Sequence, residues 1–161
     1  MEIWDAYDVN LNKLENKTLV RGEIIPDGIF HLVCDILVRH TDGTYLVMQR
    51  DLRKSFGGTW EATAGGSALC GETPAECAKR ELKEETGITA TDITQVGCVV
   101  DKGTHSIYVE FLCITNCDKN AVELQEGETI AYKWVSRNEL LNMNKDKLIT
   151  ERMQQFISEL H

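Results

Sequence analysis

The sequence predicts an α+β fold in which a mixed β-sheet is sandwiched between helices, an α/β/α arrangement, and three observations carry the prediction. Val-, Ile- and Leu-rich runs of strand length recur along the chain between turn residues. One central helix has marked start and stop signals, and two further helical patterns close the sequence. With 161 residues, 42% hydrophobic and 27% charged, the chain is sized for one domain with a sizeable core. No repeat, low-complexity tract or Gly/Ser linker interrupts it, so residues 1–161 read as a single domain.

Residues 1–28 read as an N-terminal strand or hairpin extension, a lid or edge. It holds a short strand over Ile3–Tyr7, a polar turn through Asn10–Asn16 and a second extended piece at Thr18–Arg21. Phe30–Arg39 is rich in Val, Ile and Leu, Thr41-Asp42-Gly43-Thr44 is a hairpin signal, and Tyr45–Gln49 continues as strand, which predicts an antiparallel pair. A polar, Gly-rich stretch over Arg53–Thr59 leads to a short strand at Trp60–Ala64 and a loop running to Glu72. Thr73-Pro74-Ala75-Glu76 then combines an N-cap threonine, a proline at the first helical position and a glutamate three residues after the cap. Gly87 ends that helix as its C′ glycine. Ile93–Lys102 and His105–Ile114 alternate as two strands about Gly103, and Ile130–Val135 is another. Of the closing helices, one opens at the Ser136 cap and runs through Leu140-Leu141. The other spans Asp146–Leu160, with Leu148, Met153, Phe156, Ile157 and Leu160 as one apolar stripe.

Charge narrows the partners. Seventeen Lys and Arg against 26 Asp and Glu leave a net −9, which makes a poor non-specific binder of nucleic acid or anionic membrane, so neither is expected as a partner. Any phosphate handled by so acidic a chain is expected to arrive with a metal. Met1-Glu2-Ile3-Trp4-Asp5 lacks the basic start and apolar stretch of a signal peptide, and no apolar run reaches membrane-spanning length, so a cytoplasmic location is expected. The six cysteines, Cys34, Cys70, Cys77, Cys98, Cys113 and Cys117, include no C-x-x-C pair. They read mostly as small core hydrophobes of a reducing compartment.

Chemistry is concentrated between Gly66 and Ile88, GSALCGETPAECAKRELKEETGI. On this helix Glu81, Glu84 and Glu85 stand at i, i+3 and i+4, which sets three carboxylates on one face, while Ala75, Ala78 and Leu82 form the opposite, apolar face. Like charges so spaced cost a few tenths of a kcal/mol per pair, and a hard divalent cation offsets that repulsion by accepting oxygen ligands. A Lys- and Glu-rich stretch is ordinarily only a solvated face. The spacing decides otherwise: the segment matches G-x5-E-x7-R-E-U-x-E-E-x-G-U, U being a bulky aliphatic, at Gly66, Glu72, Arg80, Glu81, Leu82, Glu84, Glu85, Gly87 and Ile88. Its seven fixed residues, at a usage of about 6% each, give a chance of roughly 10⁻⁹ per starting position.

That 23-residue signature is similar to the box of the Nudix hydrolases, and the strand order around it, over roughly residues 30 to 140, resembles the Nudix α/β/α sandwich. The resemblance implies hydrolysis of a nucleoside diphosphate linked to another group, dependent on Mg²⁺ or alternatively Mn²⁺. Carried onto this sequence, it makes Glu81, Glu84 and Glu85 the metal ligands, with Gly66 lending its carbonyl. Glu84 and Glu81 would serve water activation, and Glu72 and Arg80 would form a structural pair tying loop to helix. Many members are dimers, so a homodimer is among the assemblies it implies. Driving water onto phosphorus builds negative charge on oxygen, which divalent cations held by carboxylates neutralise, and an oxygen-only ligand set favours a hard ion over zinc.

Several residues admit two readings. Arg50, Arg53 and Lys54 either hold substrate phosphates or form a solvated basic loop. Phe56 and Trp60 could stack on a base, although Trp60 reads more readily as core. Glu128 lies where some Nudix enzymes keep an extra catalytic glutamate, and His40 and His105 read as surface or strand residues.

Two rival functions are tested by the residues themselves. The N-terminal EIWDAYDVN and IPDGIFHLV segments resemble isopentenyl-diphosphate isomerases, a branch of the same fold. Those enzymes need a cysteine and a metal-binding histidine in a C-G-H pattern before the acidic loop, where this sequence has Gly65-Gly66-Ser67; only His31 matches a motif histidine. A non-catalytic nucleotide sensor would have lost a helix carboxylate, and none is lost. ADP-ribose, other nucleoside diphosphate sugars, dinucleoside polyphosphates and nucleoside triphosphates share the diphosphate, and the sequence does not choose among them.

Overall fold

The computed structural model describes residues 1–143 and 151–160. Its elements are β1 (Ile3–Tyr7), β2 (Lys13–Val20), β3 (His31–His40), β4 (Tyr45–Arg50), β5 (Trp60–Glu61), β6 (Thr63–Ser67), α1 (Pro74–Thr86), β7 (Asp92–Asp101), β8 (Ser106–Thr115), β9 (Thr129–Val135), α2 (Arg137–Leu141) and α3 (Glu151–Ser158).

The run HLVCDILV is buried on both sides, as a central strand with a parallel neighbour must be, and β3 is that strand. It pairs in parallel with β8 from His31↔Ser106 to His40↔Thr115 and antiparallel with β6 from Val33↔Ser67 to Leu37↔Thr63, while β7 adds antiparallel to β8. A second group, β5-β4-β9, is antiparallel. The predicted β3–β4 hairpin holds at its turn but meets at one register pair only, Arg39↔Tyr45. Both edges of β3 are taken by β6 and β8, so β4 diverges and finds β9 instead.

The single strand expected over Trp60–Ala64 is two strands broken at Ala62, and β6 extends to Ser67 through what the sequence suggests is loop. Gly65 and Gly66 are weak strand formers by propensity. They are strand here because the backbone approach demands them: a Cβ at Gly65 would collide with the Cys34 carbonyl oxygen. In the N-terminal hairpin the turn is shorter than expected and β2 starts at Lys13, because the Asp8 carboxylate accepts the Asn10 and Asn12 backbone N–H groups at 2.8 and 3.0 Å.

Helix α1 starts and stops as the sequence predicts. Thr73 and Glu76 form a capping box, and Gly87 takes φ 74° with its N–H on the Lys83 carbonyl. Its buried face is Cys77, Ala78, Leu82 and Thr86, packed on Cys34, Ile36 and Val109, whereas Ala75 is exposed. Ser136 and Glu139 cap α2 in the same way. Leu140, Phe156 and Ile157 cover a second cluster with Leu37, Tyr45 and Val47. These helices and α1 thus cover different apolar clusters of the sheet. The expected helix start at Asp146, with Leu148, lies outside the described residues.

The hairpin β1–β2 is fastened to the body by Trp4, Ala6 and Leu19, by a Cys70 N–H bond to the Ile3 carbonyl, and by Gly71 N–H donating to Asp5 at 2.8 Å. Trp4 stacks on His31 with ring centroids 4.2 Å apart. The Ser106 hydroxyl donates to the Thr104 carbonyl, so His31 Nε2 is the donor of the 3.0 Å bond to Ser106, and buried Nδ1 is a bare acceptor without a partner. A proton on Nδ1 would have nowhere to donate, and burial pushes the His31 pKa down to about 4.

This gives a signed pH dependence. Between pH 6.5 and 4 the unfolded chain binds a proton at His31 that the native state refuses, so His31 withdraws stability as pH falls through that window. The expected outcome in urea denaturation is that the stability difference between wild type and His31→Phe shrinks by roughly 3 kcal/mol from pH 7 to 4. A difference independent of pH would refute it.

Candidate functional site

A cavity of about 650 Å³ is lined by the N-terminal hairpin, β3, the β4–β5 segment, β6, α1 and the segment between β8 and β9. The carboxylates of Glu81, Glu84 and Glu85 all face it, as their helical spacing requires. Glu81 is half-buried against Gly66, where an added Cβ would lie 2.5 Å from Glu81 Oε1. Glu84 is the exposed member of the three. Glu85 turns towards the Gly65 N–H, which lies 3.4 Å from its Oε2.

Burial dominates the electrostatics. It pushes the Glu85 carboxyl up to about 8, with the charges of Glu61 and Glu81 adding to the effect, and it raises Glu81 despite the neighbouring Arg80. Desolvation is the larger cause for both acids, and the neighbouring carboxylates add to it.

Arg80 organises the loop and helix. Its Nε and Nη2 hold Glu72 at 2.6 and 2.9 Å, Nη2 also reaches the Ser67 carbonyl at 3.1 Å, and Nη1 meets Glu81 at 2.6 Å and Glu84 at 3.3 Å. The fork of the guanidinium makes this possible where a lysine could not. Among the described residues no three acidic, His or Cys side chains converge on one point, because Arg80 draws Glu81 and Glu84 to itself while Glu85 faces Gly65. The donors available there, three carboxylates and the Gly66 carbonyl, are all oxygen, which fits a hard divalent ion.

The basic residues divide. Arg50 lines the cavity with Nη1 on Glu61 at 2.6 Å and Nε on the Ser55 carbonyl. Lys54 also lines it and pairs with Glu128. Arg53 does not line the cavity: Asp51 captures its guanidinium at 2.9 and 2.6 Å. Phe56 likewise stands off the wall, 65% exposed at φ 57°. Trp60 packs beside the second cluster with Lys133 Nζ 4.4 Å from its ring centre. His40 and His105 bond the carbonyls of Cys117 and Ile29.

Sequence reasoning missed Asp35, Glu61, Glu2 and Arg21, all on the cavity wall. Asp35 could have been found as the one acid in an apolar strand; the other three depend on strand pairing.

The family model of the NUDIX domain matches residues 29–160. The chain belongs to the Nudix family. It is 31% identical over 142 residues to the uncharacterized Nudix hydrolase lin0387 of Listeria innocua, covering 87% of this chain and 83% of that protein. DR0079 from Deinococcus radiodurans is similar in structure, with a TM-score of 0.78 at 14% identity and 98% of each chain covered. The NUDIX domain of Shewanella oneidensis NrtR complexed with ADP ribose has a TM-score of 0.63 at 22% identity, covering 80% of this chain and 84% of that one. As a Nudix hydrolase the protein is a pyrophosphohydrolase.

The two adjacent glycines separate fold from site. Gly65→Ala meets fixed backbone of β3 and is expected to lower stability by about 3 kcal/mol or more. Gly66→Ala meets only the end of the Glu81 side chain, so its melting temperature should stay near wild type while turnover falls about ten-fold or more. Thermal melts and initial rates on both variants check this; equal destabilisation would contradict it.

Proposed function

We propose that this Nudix protein is a divalent-metal-dependent hydrolase that cleaves the diphosphate linkage of a nucleoside diphosphate joined to another group, by water attack on phosphorus. The observation that carries the reading is one cavity wall on which Glu81, Glu84, Glu85 and Gly66 meet the cations Arg50, Lys54 and Arg80. Glu81, Glu84, Glu85 and the Gly66 carbonyl would hold Mg²⁺, or Mn²⁺ in its place. When bound, the ion neutralises phosphate charge and makes a coordinated water more acidic.

The chain's own groups do the rest. Glu84, the most exposed of the three carboxylates and held by Arg80 only through a long 3.3 Å contact, would accept a proton from attacking water, and Glu81, fixed between Gly66 and Arg80, orients it. Lys54 neutralises the substrate phosphates by exchanging its carboxylate partner for a phosphate oxygen, while Arg50, kept on Glu61, adds its positive charge to the wall. The role expected of Arg53 therefore passes to Lys54, since Asp51 already holds Arg53. Gly65-Gly66-Ser67 on β6 supplies neither cysteine nor histidine to the cavity, which supports hydrolysis over isomerisation. ADP-ribose, the ligand of one structural relative, is the first compound to try.

The decisive assay is reaction in ¹⁸O-water. Label is expected in one phosphate-containing product, with turnover stopped by excess chelator. Glu84→Gln should lose about two to three orders of magnitude in kcat with an unchanged melting temperature in chelator. Near-normal turnover in that variant, or robust turnover in chelator, would overturn the reading.

A further inference from the structure

We infer that Glu2 is an internal stand-in for substrate: its carboxylate occupies the Arg21 guanidinium until a phosphate of the substrate takes Arg21 over, so the pair sets affinity for the substrate's charged end. This rests on the hydrolase reading above.

Residues 1–28 precede the region matched by the NUDIX model, yet Glu2, Trp4 and Arg21 line the same cavity as Glu81 and Glu84. All four cations of that wall have carboxylate partners, and exposure sorts them. The Arg50–Glu61 side chains are 15% and 13% exposed, Arg80–Glu72 are 24% and 18% and Lys54–Glu128 are 30% and 37%, whereas Arg21, the most open of the four cations, is 69% exposed against 28% for Glu2. Arg21 touches its partner through Nη1 alone, at 2.9 Å. An ion pair this open is weak, and a phosphate offers the same guanidinium more charge and more acceptor oxygens.

Glu2 itself is anchored. Its other oxygen accepts the Trp4 indole N–H at 2.7 Å, and Trp4 is buried on His31. When Arg21 turns to a phosphate, the Glu2 charge stays behind and opposes the incoming anion. The hairpin does not need the pair in order to fold, because the Arg21 N–H bonds the Glu2 carbonyl at 3.0 Å and the strands pair along Ile3↔Val20, Trp4↔Leu19 and Asp5↔Thr18. Removing the Glu2 charge and removing Arg21 must then move anion affinity in opposite directions. A pair that only held the hairpin would move both the same way.

Calorimetric titration of the full chain with inorganic pyrophosphate in Mg²⁺ buffer tests this, with thermal melts as the control for folding. Glu2→Gln, which keeps an acceptor for Trp4, should tighten binding about three-fold. Arg21→Ala should weaken it about ten-fold, and Arg21→Lys should recover part of the loss. With ADP-ribose the same variants should shift KM in those directions with kcat unchanged. Shifts of the same sign, or none, overturn the role of the pair while leaving hydrolysis intact. Opposite shifts in a protein that turns over no diphosphate nucleotide would instead overturn the hydrolase reading and support the pair.

Discussion

The close approach of β6 to its two neighbours governs this molecule. On one side Gly65 lies against the Cys34 carbonyl of β3; on the other Gly66 lies against the Glu81 carboxylate of α1. A Cβ has no room against the β3 backbone at Gly65, and at Gly66 it would displace the Glu81 carboxylate. Because β3 is fixed in turn by ten parallel register pairs to β8, the glycines transmit the position of the sheet directly to the acidic face of the helix. Arg80 completes the arrangement by tying the loop carboxylate Glu72 and the Ser67 carbonyl to the same helix.

Around that contact the cavity wall is a lattice of paired charges with acids in excess, seven against four bases. Every cation on it already has a carboxylate. Desolvation raises the inner acids, Glu85 above all, with Glu61 and Glu81 also affected. Holding repelling carboxylates in partial burial costs stability in the metal-free protein, a cost that functional sites commonly carry. The inner pairs are rigid and shielded, while the outer ones at Arg21 and Lys54 stand in more solvent and exchange partners more readily.

The hairpin at the start of the chain belongs to this lattice although it precedes the matched NUDIX region. Its attachment runs through the Ile3 carbonyl to Cys70 and through Asp5 to Gly71, inside the acidic loop itself, and through Trp4 to His31 at the head of β3. A segment that reads as a lid or edge is therefore bonded to the loop that carries the chemistry, and it contributes wall residues of both charges.

By itself the sequence determined the central helix, its capping box and C′ glycine, and the three-carboxylate face, because these follow from i, i+3 and i+4 geometry and from local dihedral preferences. It also determined the net charge of −9, and the resemblance carried by its contiguous motif implied the Arg80–Glu72 pair. Tertiary structure alone decided which strand β4 would join, since that depended on β6 and β8 occupying both edges of β3. It also decided that a glycine pair reads as strand, and that Glu2, Arg21, Asp35 and Glu61 share one wall. The division has one physical cause: a helix brings together residues four apart, whereas a sheet brings together residues whose separation along the chain sets no distance between them.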